Sequence, residues 1–281
     1  MGQFTNKIDF AVLMTVEKAN PNGDPLGENR PREDFNGCGE ISDVCIKRKI
    51  RNRLQDMGEE IFVQSNDRVD DGFKSLSERA KGYDALQKAL KAKDEEEARK
   101  VVCEKWIDVR TFGQVFAFKS SEKSGVSLGV RGPVSIQTAT SVSPVDITSM
   151  QITKSVNSEP ADKKSSDTMG MKHRVDFGLY VLKGSINHQL AERTGFTDED
   201  AEKIKQALMT LFDNDASSAR PEGSMEVRKV YWWKHNCATG QYSSAKVHRS
   251  LKITENTNEP KCFEDYDITL EPLEGLQVEE Y

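Results

Sequence analysis

The stretch KIDFAVLMTV, residues 7–16, decides how the rest of the chain is read. Ile8, Phe10, Val12, Met14 and Val16 recur at the two-residue period of a strand, and Ala11 and Leu13 add apolar surface on the opposite face. A strand apolar on both faces belongs in the middle of a sheet covered on two sides. Working outward, strand patterns are predicted at 111–118, 130–142, 175–186, 225–234, 246–254 and 266–270. A helix is predicted over 43–57, with Ser42 as its N-cap and Ile46, Ile50, Leu54 and Met57 as its apolar stripe. A second is predicted over 197–213, capped by Thr197 and burying Ile204, Leu208, Leu211 and Phe212. The core order is strand, helix, strand, strand, helix, strand, which is that of an α+β, ferredoxin-like fold and of the common RNA-recognition module. That order alone does not specify a function.

Two segments interrupt the order. Residues 58–108 are rich in Ala, Lys and Glu, with helical stretches at 74–91 and 94–106, and read as a helical insertion. Residues 148–174 are polar, with Pro160, several serines, Lys154, Lys163, Lys164 and Lys172, and read as an extended hairpin with a mobile tip.

The chain has 281 residues, 36% apolar and 31% charged, enough for one elaborated domain or two small ones. It has no apolar run of about 18 residues and no basic-then-apolar start, so it is expected to be cytoplasmic with no membrane partner. Its five cysteines and four histidines are scattered without ligand spacing, which predicts reduced thiols, no metal and no cofactor. The net charge of −6 conceals an asymmetry. Residues 251–281 hold nine acidic and two basic side chains, a net of −7, so the preceding 250 residues sum to +1. Local fields rather than total charge govern phosphate binding.

The strongest local chemistry lies between Asn20 and Arg53. A Pro- and Gly-rich loop carries Asn20, Asn22, Arg30 and Arg32 and runs to about Glu40. The helix after it has five basic residues among the seven from Lys47 to Arg53, with Lys47, Arg48 and Arg51 off the apolar stripe. A helix start offers free N–H groups to an anion, and guanidinium forks nearby suit phosphate. The competing reading is a solvated charged helix face.

Short motifs agree in order with one family. They are Asn20-Pro-Asn22-Gly23-Asp24-Pro with Gly27, Asn29, Arg30, Pro31 and Arg32; Asp108-Val-Arg110-Thr-Phe112-Gly113; Arg131-Gly-Pro133-Val-Ser-Ile-Gln137; and Ser143-Pro144-Val-Asp146. Thr168-Met-Gly-Met-Lys172-His173, Thr194-Gly-Phe-Thr197, Ser217-Ser-Ala-Arg220 and Val227-Arg228-Lys229 follow. In this the chain resembles the backbone subunits of type I CRISPR Cascade complexes, I-C or I-B in kind (the Cas-seven family), over residues 8–236.

The resemblance implies a hand-shaped protein. Its ferredoxin-like (RRM-like) palm comprises 1–57, 109–147 and 174–281, its helical fingers 58–108, and its β-hairpin thumb 148–173. Copies stack head-to-tail along a CRISPR RNA, beside other Cascade subunits, and leave the guide free to pair with a target DNA strand. Carried onto this sequence, Ser42, Lys47, Arg48 and Arg51 form the palm grip beside Asn20, Asn22, Arg30 and Arg32. Gln137 is a further RNA contact, and the thumb adds Gln151, Lys154, Met169, Met171, Lys172 and His173. The two methionines are expected either to wedge between bases or to pack the hairpin base. Related type III subunits cut target RNA with a loop aspartate, which makes Asp24 and Asp34 the nuclease suspects. A metal-assisted nuclease shows several converging carboxylates or histidines, and none converge visibly in the sequence, so no enzymatic activity is expected.

Overall fold

A computed structural model of the protein describes residues 2–117, 127–156 and 169–281. The expected thumb tip, with Lys163 and Lys164, and most of the Ser/Lys/Gly turn expected near 120 lie outside the described residues. The opening strand is Ile8–Ala19, and residues 8–16 are buried without a break. It lies at the centre of the main sheet, hydrogen-bonded antiparallel to Met169–Ile186 on one side and to Met225–Lys234 on the other.

Among the described residues this sheet has eight strands. The path runs Gln277–Glu280, Met225–Lys234, Ile8–Ala19, Met169–Ile186, Ala139–Pro144 and Cys38–Ile41, with every pairing antiparallel. Val134–Ile136 and Ile147–Thr153 pair with opposite ends of Met169–Ile186. The protein is therefore a mixed α/β fold around a main antiparallel sheet.

Alternation along the opening strand sets up two cores. Phe10, Val12, Met14 and Val16 pack with Ile46, Ile50 and Leu54 of helix Asp43–Asp56 and with Ile204 and Leu208 of helix Asp198–Met209. Ala11 and Leu13 point the other way, toward Tyr231, Trp233, Val247, Leu251 and Tyr266. Met57, expected on the buried stripe, is 38% exposed because the helix ends one residue before it. Thr197 caps the second helix in a reciprocal box with Asp200.

The insertion has a core of its own. Phe62, Leu86, Val102, Trp106 and Val109 cluster with Phe116 and Leu128. The helix expected over 74–91 is two helices, Leu76–Lys81 and Asp84–Ala92. Gly82 caps the first of them, and a β-carbon there would lie 2.3 Å from the Phe73 ring. The strand expected over 111–118 forms instead a separate hairpin of Gly113–Ala117 with Ser127–Arg131, which packs on the insertion. Val109, Phe116 and Leu128 find their apolar partners in the insertion's cluster, whereas Phe112 packs against the main core.

The strand expected over 246–254 begins as a helix, Ser244–Ser250, and only then becomes the strand Leu251–Glu255. Ser243 caps that helix through Lys246 N, and Val247 and His248 are buried. Helix His188–Thr194 and edge strand Gln277–Glu280 were not expected.

The edge strand accounts for part of the acidic C-terminal segment. Glu279 lies 3.0 Å from Lys205, whose side chain is 4% exposed, and 2.7 Å from Lys234. Partial burial works to raise the Glu279 pKa, but hydrogen bonds from Lys234, Tyr281 and Lys205 outweigh it and hold the carboxyl at about 2, against an ordinary 4.5. A depressed carboxylate pKa stabilises the fold above the unfolded value, and the stabilisation fades as pH falls through the folded one. Glu279→Gln should therefore lower the melting temperature at pH 7. The gap from the native protein should close between pH 4.5 and about 2. A gap independent of pH would contradict the ion pairing.

Candidate nucleic-acid interface

The N-terminal loop is more ordered than its prolines and glycines suggest. Gly23–Asp24 pairs with Arg30–Pro31, and Cys38–Ile41 joins the main sheet. A β-carbon on Gly23 would lie 2.0 Å from Asn29 Oδ1 and 2.8 Å from the Asn29 carbonyl, so only glycine fits that close approach. Asn20 is 3% exposed. It donates through its backbone N–H to Ala219 O (2.9 Å) and through Nδ2 to Asn29 O (2.6 Å).

Both suspected nuclease aspartates serve their own turns. Asp24 Oδ1 accepts from Leu26 N and from Arg32 Nη2, each at 3.2 Å. Asp34 Oδ1 accepts from Asn36 N (2.8 Å) and Cys38 N (2.9 Å). Such carboxylate-to-backbone bonds are the usual turn chemistry of aspartate. Among the described residues, no three His, Cys, Asp or Glu side chains stand close enough to hold a metal.

The helix start is also already occupied. Asn22 Oδ1 accepts from Ser42 N (2.9 Å) and Ser42 Oγ (2.8 Å), and Ser42 Oγ accepts from Cys45 N (3.3 Å). Asn22 and Ser42, which the resemblance puts in the RNA grip, thus hold the loop to the helix. Of the three cations expected to stand clear of the core, Lys47 pairs with Asp43 at 2.8 Å, one turn back. Arg48 donates to Val63 O (2.6 Å). Arg51 Nε donates to Asp108 Oδ2 (2.9 Å) beneath the insertion. Asp108 is fully buried and also accepts from Phe62 N (2.7 Å) and Val63 N (3.1 Å). Arg51 is therefore a strut between the helix and the insertion, not a free surface cation. Burial, and after it the Arg51 cation, pulls the Arg48 guanidinium below its ordinary range.

The hairpin grows out of the sheet. Ile147–Thr153 pairs residue by residue with 169–175, from Val175↔Ile147 to Met169↔Thr153. Its outer surface carries Met169 (54% exposed) and Met171 (47%). Gln151 Nε2 donates to Met169 Sδ (2.9 Å), and Lys154 is exposed on the same arm. His173 Nδ1 lies 2.7 Å from Ser149 Oγ, and Arg30 Nη1 donates to that same Oγ at 3.4 Å. This relay ties the N-terminal loop to the base of the hairpin. Below it is a cleft of about 260 Å³, walled by Asn20, Glu28 and Asn29 of the loop, Ile152, Met171, Lys172 and His173 of the hairpin, and Ser218 and Ala219.

The structure therefore brings Asn20, Arg30, Met171, Lys172 and His173 together and places Lys47, Arg48 and Arg51 along the helix toward the insertion. Arg32 is half-exposed on the loop. Gln137 is exposed and apart, its backbone N–H bonded to Lys183 O (2.9 Å), ten residues along the long strand from His173 and so roughly 33 Å away. Ser149, Asn29, Ser218 and Ala219 were missed as site residues. The Ser217–Arg220 motif was a signal for the last two.

Residues 6–271 match the family described as CRISPR-associated protein Cas7. A curated relative, "CRISPR-associated protein Cas7" of Haloferax volcanii, is 25% identical over 272 residues, covering 90% of this chain and 77% of the relative. A solved chain from "CRISPR RNA-guided surveillance complex, pre-nicking" superposes with a TM-score of 0.51 at 15% identity, covering 81% of this chain and 78% of that one, a likeness of fold. A second, from "CRISPR RNA-guided surveillance complex", gives 0.45 at 16% identity over 81% and 68%. With a family match that takes in every strand of the main sheet but the edge strand Gln277–Glu280, the chain belongs to the CRISPR-associated protein Cas7 family.

Proposed function

We propose that this chain is a non-catalytic backbone subunit of a type I Cascade, I-C or I-B in kind. It binds CRISPR RNA in the cytoplasm, stacks head-to-tail with further copies along the guide, joins other Cascade subunits, and presents the guide to a target DNA strand. The observation that carries the reading is the Arg30–Ser149–His173 relay, which joins the loop and hairpin into one polar surface beside Lys172. A guide must be held without being read, so its contacts belong on phosphate and sugar. The sheet order through Met225–Lys234, Ile8–Ala19, Met169–Ile186 and Ala139–Pro144, with helices Asp43–Asp56 and Asp198–Met209 on one face, supports a ferredoxin-like palm. The hairpin arms, exposed from Gln151 to Val156 and from Met169 to Met171, support a thumb built to lie on something other than its own domain.

The test is RNA retained through purification, measured as excess absorbance at 260 nm, followed by affinities of the Arg30→Ala, Lys172→Ala double variant. Loss of two phosphate contacts should weaken binding at least tenfold and reduce the slope of log affinity against log salt by about 1.4. Labelled target RNA should remain intact with Mg²⁺. Unchanged affinity would remove this surface from the interface, and cleavage lost in Asp24→Asn or Asp34→Asn would restore the nuclease reading.

A further inference from the structure

Two residues that wall the cleft at the base of the hairpin, Asn20 and His173, each carry a polar atom left unsatisfied among the described residues. Asn20 Oδ1 and His173 Nε2 are both buried and have no hydrogen-bond partner among the described residues. Their roles follow from the bonds on their other sides. Asn20 Nδ2 donates to Asn29 O at 2.6 Å, which leaves Oδ1 as an acceptor. Ser149 Oγ accepts from Arg30 at 3.4 Å, and in the Nε2–H tautomer of His173 it gives its own proton to His173 Nδ1, 2.7 Å away. Nε2 then carries the ring's hydrogen and is a donor.

The cleft thus combines a lone acceptor, a lone donor, the Lys172 cation, and apolar surface from Ile152, Met171 and Ala219. Buried polar atoms left unpaired in a native protein call for an explanation, and a missing ligand is one. A bare phosphate would satisfy the donors but meet the Asn20 carbonyl oxygen and the Glu28 carboxylate. A hydroxyl both donates and accepts at one atom, and its sugar carbons suit the apolar walls. Met171, 47% exposed and unbranched, is the wall that can shift to admit it.

We propose that this cleft is a subsite for the 2′-hydroxyl of one ribose, donating to Asn20 Oδ1 and accepting from His173 Nε2–H, so that it distinguishes RNA from DNA. The proposal rests on the RNA-binding reading above and adds the group that is recognised. The 2′-hydroxyl is the atom that separates the two polymers at any single nucleotide.

The experiment uses the full chain and mixed-sequence oligoribonucleotides just long enough to saturate one copy, with one residue at a time replaced by its 2′-deoxy form or by an abasic ribose. One 2′-deoxy position should lower affinity about tenfold while its neighbours do not. The abasic ribose at that position should bind like the parent. His173→Ala should bind all the oligonucleotides alike, at the level of the deoxy-substituted one. The substitution scan on the native protein stands even if that variant fails to fold. RNA binding with no sensitive deoxy position overturns the subsite and leaves the RNA-binding reading in place. So does sensitivity to the abasic ribose alone, which would make the cleft a reader of bases, and so does a deoxy penalty that persists in folded His173→Ala. Absence of RNA binding overturns both readings.

Discussion

Asp108→Ala is expected to cost about 3–5 kcal/mol of stability, the usual penalty for breaking a buried ion pair from one side. The carboxylate is fully buried and holds Arg51 together with the N–H groups of Phe62 and Val63. Its removal leaves a guanidinium and two backbone donors without partners at the junction of helix and insertion. The readout is the urea midpoint, with Arg51→Ala and the double variant completing a cycle. The double variant should be more stable than Asp108→Ala alone, because it removes the stranded charge. A loss below about 1 kcal/mol in Asp108→Ala would show that water reaches the junction and that Arg51 is free to act on RNA.

Removing the hairpin should abolish ordered assembly and leave a folded protein. Thr148 and Arg174 are register partners, so an Asn-Gly turn joining them can replace residues 149–173 without disturbing the strand beyond. Among the described residues, the excised arms contribute none to any of the three apolar clusters. Weak RNA binding by the loop and helix should persist, while regular RNA-bound filaments seen by electron microscopy should disappear. A head-to-tail contact that does not close on itself generates such filaments, and RNA length sets the copy number. Filaments formed by the hairpin-less protein would place the contact between copies elsewhere, the insertion being the next candidate.

Features set by local period were legible in the sequence. The opening strand is buried on both faces because its even and odd positions are both apolar. Thr197 caps its helix because Asp200 stands three residues on to complete the box. Features set by long-range partners were not legible. Nothing near Arg51 signals that its partner is Asp108, 57 residues later, so a structural strut read as a free cation. Asn22 and Ser42 have hydrogen-bonding groups that would suit a sugar or phosphate equally well, and only the fold shows them bonded to each other. The strand pattern of 246–254 failed because Val247 and His248 bury one side of a short helix, which alternation over so few residues imitates. At the interface, Arg30 and His173 were legible as polar groups, but Ser149, which joins them, offered no signal as a lone serine.

The central claim, a grip on the RNA backbone indifferent to base sequence, is tested most directly by affinities for several unrelated RNAs of equal length over a salt series. The account expects log affinity to fall linearly with log salt, with a slope near −0.7 per neutralised phosphate, and the lines for the different sequences to coincide. A flat salt response, or affinities that differ by orders of magnitude among those RNAs, would contradict it.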